Sequence, residues 1–217
     1  LRESLPNPLF STATSALGFT LIEKEQHEIT PDFKVLDTLE RVRYQRYLNP
    51  QKQLEFLTGR TFLKNVLAKY LDVLPQSISL SLTANGKPYL AKSAGINVPF
   101  FNLSHAAGHY LIGLSRYPIG VDIEPYRWVE LMRFRHFLSQ GEYQQLTELP
   151  EIEQSKMFFK LFTAKEAFLK ATDKAYPLDA IQFQLNNQEW QLTCPESSFQ
   201  FTQTNYEGCC ITVCTNM

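Results

Sequence analysis

Paired cysteines are missing from this sequence. It has four, Cys194, Cys209, Cys210 and Cys214, and none stands at C-x-x-C spacing, the gap from Cys210 to Cys214 being one residue too wide. A zinc site is therefore not indicated. The four read as reduced thiols packed on or near late strands, the state a cytoplasmic chain keeps. An excess of one charge is missing too: 21 basic residues face 22 acidic ones, for a net charge of −1. That balance does not favour general binding to nucleic acid. Long apolar runs are also lacking. Leu17 to Ile22 is too short for a signal sequence or a span, and later apolar stretches are broken by Arg116, Asp122 and Lys160. No membrane partner is expected, and the expected location is the cytoplasm. With Leu1 rather than Met in first place, a short native start or a tag is expected to be missing. No G-x-S-x-G surrounds a serine, no low-complexity linker divides the chain, and no close internal repeat is visible.

What is present is an ordinary globular balance, with 44% hydrophobic and 20% charged residues over 217 positions. That length suits one large domain or two small halves. Residues 1–37, with Pro6, Pro8 and Pro31, read as irregular, apart from strand character at Leu17 to Ile22. Leu36 to Leu48 reads as a helix made basic by Arg41, Arg43 and Arg46, and Pro50 interrupts it. Gln51 to Tyr70 reads as a second, long helix. Ile78 to Leu82 alternates as a strand, and Asn85-Gly86-Lys87-Pro88 is a turn, since Asn-Gly supplies positive φ at little cost. Val98 to Leu103, His109 to Ser115 and Ile119 to Glu124 follow as strands. Leu131 to Leu146 reads as a helix weakened by Gly141. Glu151 to Thr172 is the clearest helix, with Met157, Leu161, Ala164, Phe168 and Ala171 on one stripe. Ile181 to Leu185, Glu189 to Cys194, Phe199 to Thr204 and Cys209 to Val213 close the chain as strands. The order implies two α+β halves, 1–116 and 117–217, joined near Arg116 to Ile119.

Four short stretches carry chemistry. In Ile119-Gly-Val-Asp-Ile-Glu124, strand alternation sends Val121 and Ile123 to one face and Asp122 and Glu124 to the other. The pair is either a solvated strand face or a compact set of hard oxygens suited to Mg²⁺. In Phe162-Thr-Ala-Lys-Glu-Ala-Phe-Leu-Lys170, Glu166 and Lys170 share a helix face. They form either an exposed ion pair or a charge pair sharpened by the apolar surround of Phe159 and Phe162. Phe100-Phe-Asn-Leu-Ser-His105 ends an apolar strand in Ser-His, where His105 is either an ordinary surface residue or a donor to phosphate. Adjacent Ser104 and His105 diverge, which argues against a hydrolytic pair. Gly86-Lys87-Pro88 presents a lysine on a rigid turn, as phosphate capture or as a plain turn.

In this order the stretches resemble the Sfp-type 4′-phosphopantetheinyl transferases. The family pattern runs G-K-P, F-N-x-S-H, G-[VI]-D-[IV]-E and W-[ST]-x-K-E-[AS]-x-x-K. Here it stands as Gly86-Lys87-Pro88, Phe101-Asn-Leu-Ser-His105, Gly120-Val-Asp-Ile-Glu124 and Phe162 to Lys170. Arg133 to Glu142 is similar to the family's R-F-[FL]-S-x-x-E segment, with two additional residues near its start. Phe56-Leu-Thr-Gly-Arg60 is similar to its F-[IL]-x-x-R helix. The likeness covers about residues 40 to 185. Phe162 replaces the usual tryptophan, and Ala171 to Tyr176 lacks the family's glycine turn.

The resemblance implies an α+β (α/β) monomer built as a pseudo-twofold pair of similar halves, each a small, mostly antiparallel sheet on a long helix. It implies coenzyme A as co-substrate, bound between the halves, and an apo acyl or peptidyl carrier protein as partner. Asp122, Glu124 and Glu166 would hold Mg²⁺ against the pyrophosphate. Arg60, Lys87, Ser104 and His105 would grip the adenosine 3′-phosphate and neighbouring groups. Lys170 would steady the pyrophosphate and its leaving group, and Glu166, either directly or through a metal-bound water, is the best candidate for the base that a serine nucleophile needs. Two other readings share these residues: a Mg²⁺-dependent nucleotide pyrophosphate hydrolase, and a non-catalytic module that binds coenzyme A or a carrier.

Overall fold

The computed structural model describes residues 18–90, 98–193 and 198–216. The first prolines, Leu17 and Cys194 lie outside the described residues. The chain divides into two compact units, Leu1–Arg116 and Tyr117–Met217.

In the first unit, strand β1 (Phe19–Glu25) is followed by helix α1 (Thr38–Gln45) and the long helix α2 (Pro50–Leu71). Asp37 caps α1 by accepting from Glu40 N at 2.9 Å, and the Glu40 carboxylate reaches back to Asp37 N at 3.1 Å. Pro50 does interrupt the chain between the helices, but it opens α2. It occupies the first turn, where no N–H is needed, behind an Asn49 cap. Two-residue strands β2 (Ser81–Leu82) and β3 (Pro88–Tyr89) flank the Asn-Gly turn. The strand expected from Ile78 shrinks to β2, whose pairing with β3 covers only Ser81 and Leu82. Strands β4 (Phe100–Ala106) and β5 (His109–Ser115) complete a sheet ordered β1-β5-β4, all antiparallel. Phe62, Leu63, Val66 and Leu67 of α2 pack against Ile22, Phe101, Tyr110 and Ile112.

The second unit opens with β6 (Ile119–Pro125). Where one helix was expected over Leu131 to Leu146, the chain forms a 3₁₀ segment, Leu131–Phe137, then helix α3 (Gln140–Thr147). The break falls at Ser139, whose hydroxyl accepts from Glu142 N while Glu142 returns to Ser139 N at 2.7 Å. A side chain that caps a helix start ends any helix running through it. Gly141 therefore sits in a first turn, not mid-helix. Helix α4 spans Glu151–Thr172, the bounds that the sequence periodicity gives. A hairpin of β7 (Phe183–Asn186) and β8 (Glu189–Leu192) precedes β9 (Phe199–Tyr206) and β10 (Cys209–Asn216), which with β6 make a sheet ordered β6-β10-β9. Cys209, Cys210 and Cys214 are buried along β10. Phe158, Leu161, Ala164 and Phe168 of α4 form the core with Cys210, Cys214, Phe183 and Trp190.

The two units repeat one design although no repeat is visible in the sequence. Lys24 pairs with Tyr110 and Tyr110 with His105; one hundred residues later Glu124 pairs with Cys210 and Cys210 with Asn205. Both inner hairpins turn through two residues at positive φ, ending in Gly108 and Gly208. Both long helices end on an aspartate in the left-handed region, Asp72 and Asp173. Each also carries a fully buried lysine. Lys64 Nζ donates to Glu40 Oε2 at 2.5 Å and to Val35 O at 2.8 Å. Lys165 Nζ donates to Glu142 Oε2 at 2.6 Å and to Phe137 O and Leu178 O. In each unit the glutamate of the capping box is thus stapled to the middle of the long helix. Among the described residues, no helix is long and apolar enough to cross a membrane.

Candidate active site

The second unit brings the acidic residues of β6 against α4. Gly120, Asp122 and Glu124 share one strand face, and α4 crosses that face at Gly120. A Cβ at this glycine would overlap the Ala167 carbonyl oxygen and lie 2.5 Å from Ala171 N. Only a glycine lets helix and strand come this close. Asp122, with a side chain only 7% exposed, receives Lys170 Nζ on Oδ1 at 2.5 Å, and the same ammonium donates to Val121 O at 3.2 Å. The helical spacing suggested Glu166 as the partner of Lys170, whereas the ammonium reaches across to the strand. Two acceptors on the strand, the Asp122 carboxylate and the Val121 carbonyl, hold it there. Glu124 lies at the rim, its Oε2 3.0 Å from Arg127 Nη1, and that guanidinium sits 4.5 Å over the ring of Phe159 on α4. Arg127 carries no motif and was not legible in the sequence.

Glu166 completes the acidic group. Burial pushes its carboxyl above the ordinary range; Lys170 opposes this, and the charges of Asp122 and Glu124 reinforce it. Glu166 on the helix therefore feels both carboxylates of the strand. Among the described residues, no three acidic, imidazole or thiol groups form a ready-made metal cluster. The donor set nonetheless fits a hard divalent cation. Asp122 and Glu124 both repel the Glu166 carboxylate, a repulsion that a cation relieves, and among the described residues Asp122 Oδ2 is buried with no hydrogen bond of its own. Phe162 packs against Phe158 and Phe137 at ring distances of 5.8 and 5.7 Å, so an aromatic wall stands beside the acidic corner.

The first unit holds a second candidate region, a cavity of about 290 Å³ lined by Arg43, Tyr47, Phe56, Arg60 and His105, with Gly86 and Pro88 on either side of Lys87. The Arg43 and Arg60 guanidiniums lie 5.4 and 5.3 Å from the centre of the Phe56 ring. Burial holds the pKa of Arg60 below the usual guanidinium value; Glu40 opposes that shift and Arg43 adds to it. His105 stacks on Tyr110 at 5.1 Å. Of the residues singled out from the sequence, Arg60 and His105 come together here, with Lys87 on the adjoining turn. Ser104 is buried, and the alternation of β4 turns it to the opposite face from His105. Arg43 was legible only as part of a basic helix.

Residues 118–214 match the model of the 4′-phosphopantetheinyl transferase superfamily, and residues 23–116 match the one described as 4′-phosphopantetheinyl transferase, N-terminal. The chain belongs to the 4′-phosphopantetheinyl transferase superfamily. Among its relatives are a putative 4′-phosphopantetheinyl transferase of Synechocystis sp., 40% identical over 64% of this chain and 58% of that protein. The 4′-phosphopantetheinyl transferase HetI of Nostoc sp. is 34% identical over 71% of this chain and 67% of its own length. The 4′-phosphopantetheinyl transferase Sfp of Bacillus subtilis is 26% identical over 76% of this chain and 72% of its own. The chain thus spans less than two thirds of the Synechocystis protein. Both regions described above fall inside the matched segments, the carboxylates in the superfamily segment and the arginine cavity in the N-terminal one.

Proposed function

We propose that this chain transfers the 4′-phosphopantetheine group of coenzyme A to a serine of an apo acyl or peptidyl carrier protein, in a Mg²⁺-dependent reaction that releases 3′,5′-ADP. The observation that carries this reading is the corner of β6 and α4 where Asp122, Glu124, Glu166 and Lys170 meet. Family membership supports it further, as do the relatives named for this activity.

Asp122, Glu124 and Glu166 would hold the Mg²⁺, which when bound neutralises charge on the pyrophosphate oxygens. The serine hydroxyl attacks the phosphorus that carries the pantetheine. A new P–O bond forms to the serine, the bond to the bridging pyrophosphate oxygen breaks, and that oxygen leaves on 3′,5′-ADP. Glu166 takes the serine proton as the general base that a hydroxyl nucleophile needs. Lys170, held by Asp122 Oδ1 and Val121 O, stabilises the negative charge that develops on the departing oxygen. The cavity of Arg43, Arg60 and His105 takes the 3′-phosphate of the adenosine, two guanidiniums and an imidazole being suited to a dianion.

The test is incubation with coenzyme A, Mg²⁺ and a panel of apo-carriers, read by mass spectrometry. A carrier heavier by one phosphopantetheine is expected. Coenzyme A consumed with no carrier present would instead identify a pyrophosphate hydrolase. Absence of both reactions across the panel would leave a binding module in place of the transferase.

A further inference from the structure

The staple that the two units share is used in two ways. In the second unit Glu142 Oε2 accepts from Lys165, and its other oxygen accepts from a neutral backbone donor, Phe183 N, at 2.9 Å. In the first unit Glu40 Oε2 accepts from Lys64, but its other oxygen faces the Nε of Arg60 at 3.2 Å. That contact is an ion pair without hydrogen-bond alignment, and neither atom has a hydrogen-bond partner among the described residues. Four residues before the stapled lysine, the first unit has Arg60 where the second has Leu161. The staple itself therefore needs no arginine.

Burying a guanidinium is costly unless an opposite charge offsets it. Arg60 is among the buried residues, and Arg43, one helical turn beyond Glu40 on α1, stands near enough to repel it. Glu40 sits between the two demands. Through Lys64 and Arg60 it ties α1 to α2, and those helices deliver Arg43 and Arg60 to one cavity and one aromatic ring. We propose that Glu40 is a positioning residue for the phosphate-binding cavity. One oxygen clamps α1 to α2 through Lys64, and the other orients the Arg60 guanidinium toward a nucleoside 3′-phosphate. The assignment rests on the reading of that cavity as the seat of the adenosine 3′-phosphate. It predicts that Glu40 governs discrimination between ligands with and without that phosphate, a property that a purely structural staple would not control.

The experiment measures dissociation constants of 3′,5′-ADP and 5′-AMP by titration calorimetry on the full chain, with unfolding temperatures recorded alongside. The wild type is expected to prefer the bisphosphate by about tenfold or more, the scale of a charge-assisted contact. Glu40→Gln retains a side chain able to cap α1, yet its preference is expected to fall to about threefold or less, with 5′-AMP affinity little changed. Glu142→Gln removes the same charge from the other staple; it should lower the unfolding temperature and leave the preference intact. Arg60→Lys keeps the charge but has no Nε for Glu40 to hold, and should lose the preference even if Glu40→Gln fails to fold. A wild-type preference in folded Glu40→Gln or in Arg60→Lys would overturn the role of Glu40. A wild type that binds both nucleotides equally would instead overturn the phosphate reading of the cavity, and the proposal with it.

Discussion

Lys170 Nζ lies 2.5 Å from Asp122 Oδ1, an ion pair from the last turns of a long helix to the middle of a strand. Asp122 lies on the strand face that alternation gives it, but Lys170 is not where helix spacing alone would send it. Lys170 bypasses Glu166 one turn back, and Asp122 is buried on a strand whose two faces are both covered. The pair orients the lysine toward the corner where the three carboxylates meet. Asp122→Ala removes a metal-ligand candidate and also frees the ammonium. Transfer to an apo-carrier should fall by about 10²–10³-fold in kcat, the scale of one lost electrostatic group in an active site. Circular dichroism should show the fold retained. Near-normal turnover would refute both roles of Asp122.

Gly120 sets the distance between β6 and α4. A methyl group there meets the backbone of Ala167 and Ala171, which cannot rotate away as a side chain would. Gly120→Ala is expected to destabilise the chain by about 3 kcal/mol, the upper end of overpacking costs. It should also lower activity more than stability alone explains, because the shift moves Asp122 relative to Lys170. Urea unfolding and single-turnover transfer, measured on the folded fraction, separate the two effects.

The buried staples predict an asymmetry between single and double substitutions. Lys165→Met strands the Glu142 carboxylate in the core, with its Phe183 N bond as one remaining partner. The expected cost is about 3–5 kcal/mol. Glu142→Gln together with Lys165→Met leaves no uncompensated charge and should recover a large part of that loss. A double variant as unstable as the single one would mean that the ion pair itself, and not the stranded charge, carries the stability.

Helix α4 was legible because its apolar stripe persists over the whole element, and its bounds follow directly. The carboxylate pair was legible because strand alternation places Asp122 and Glu124 on one face whatever the fold around them. That α4 covers this face was not legible, since helix-to-strand packing is a tertiary choice; Gly120 marked the place only once the helix was seen against it. The break at Ser139 was missed although its signal was present: Ser139 and Glu142 form a capping box, as Asp37 and Glu40 do, and a box in mid-run divides a helix. The architectural repeat was hidden because equivalent positions carry different chemistry. Ile22 and Lys24 stand one hundred residues before Asp122 and Glu124, so the strands match in register and in little else.

Cys210 gives the chain a weakness toward alkali. Its thiol is buried on β10, 3.4 Å from Thr163 Oγ1, and burial pushes its pKa up, against the opposing bonds of Thr163 and Tyr126. In the unfolded chain a cysteine ionises near about 8.5. Below that pH both states hold the proton, and the full stability is present. Above it the unfolded state loses the proton while the folded state keeps it, so unfolding releases a proton and stability falls as pH rises. The slope approaches about 1.4 kcal/mol per pH unit until the raised folded value is reached. Unfolding free energies at pH 7.5 and pH 10 should therefore drop more steeply for the wild type than for Cys210→Ala. That variant carries a constant cost for its lost packing but no thiol to ionise. Parallel pH profiles for the two proteins would show that the Cys210 thiol does not control the alkaline limb.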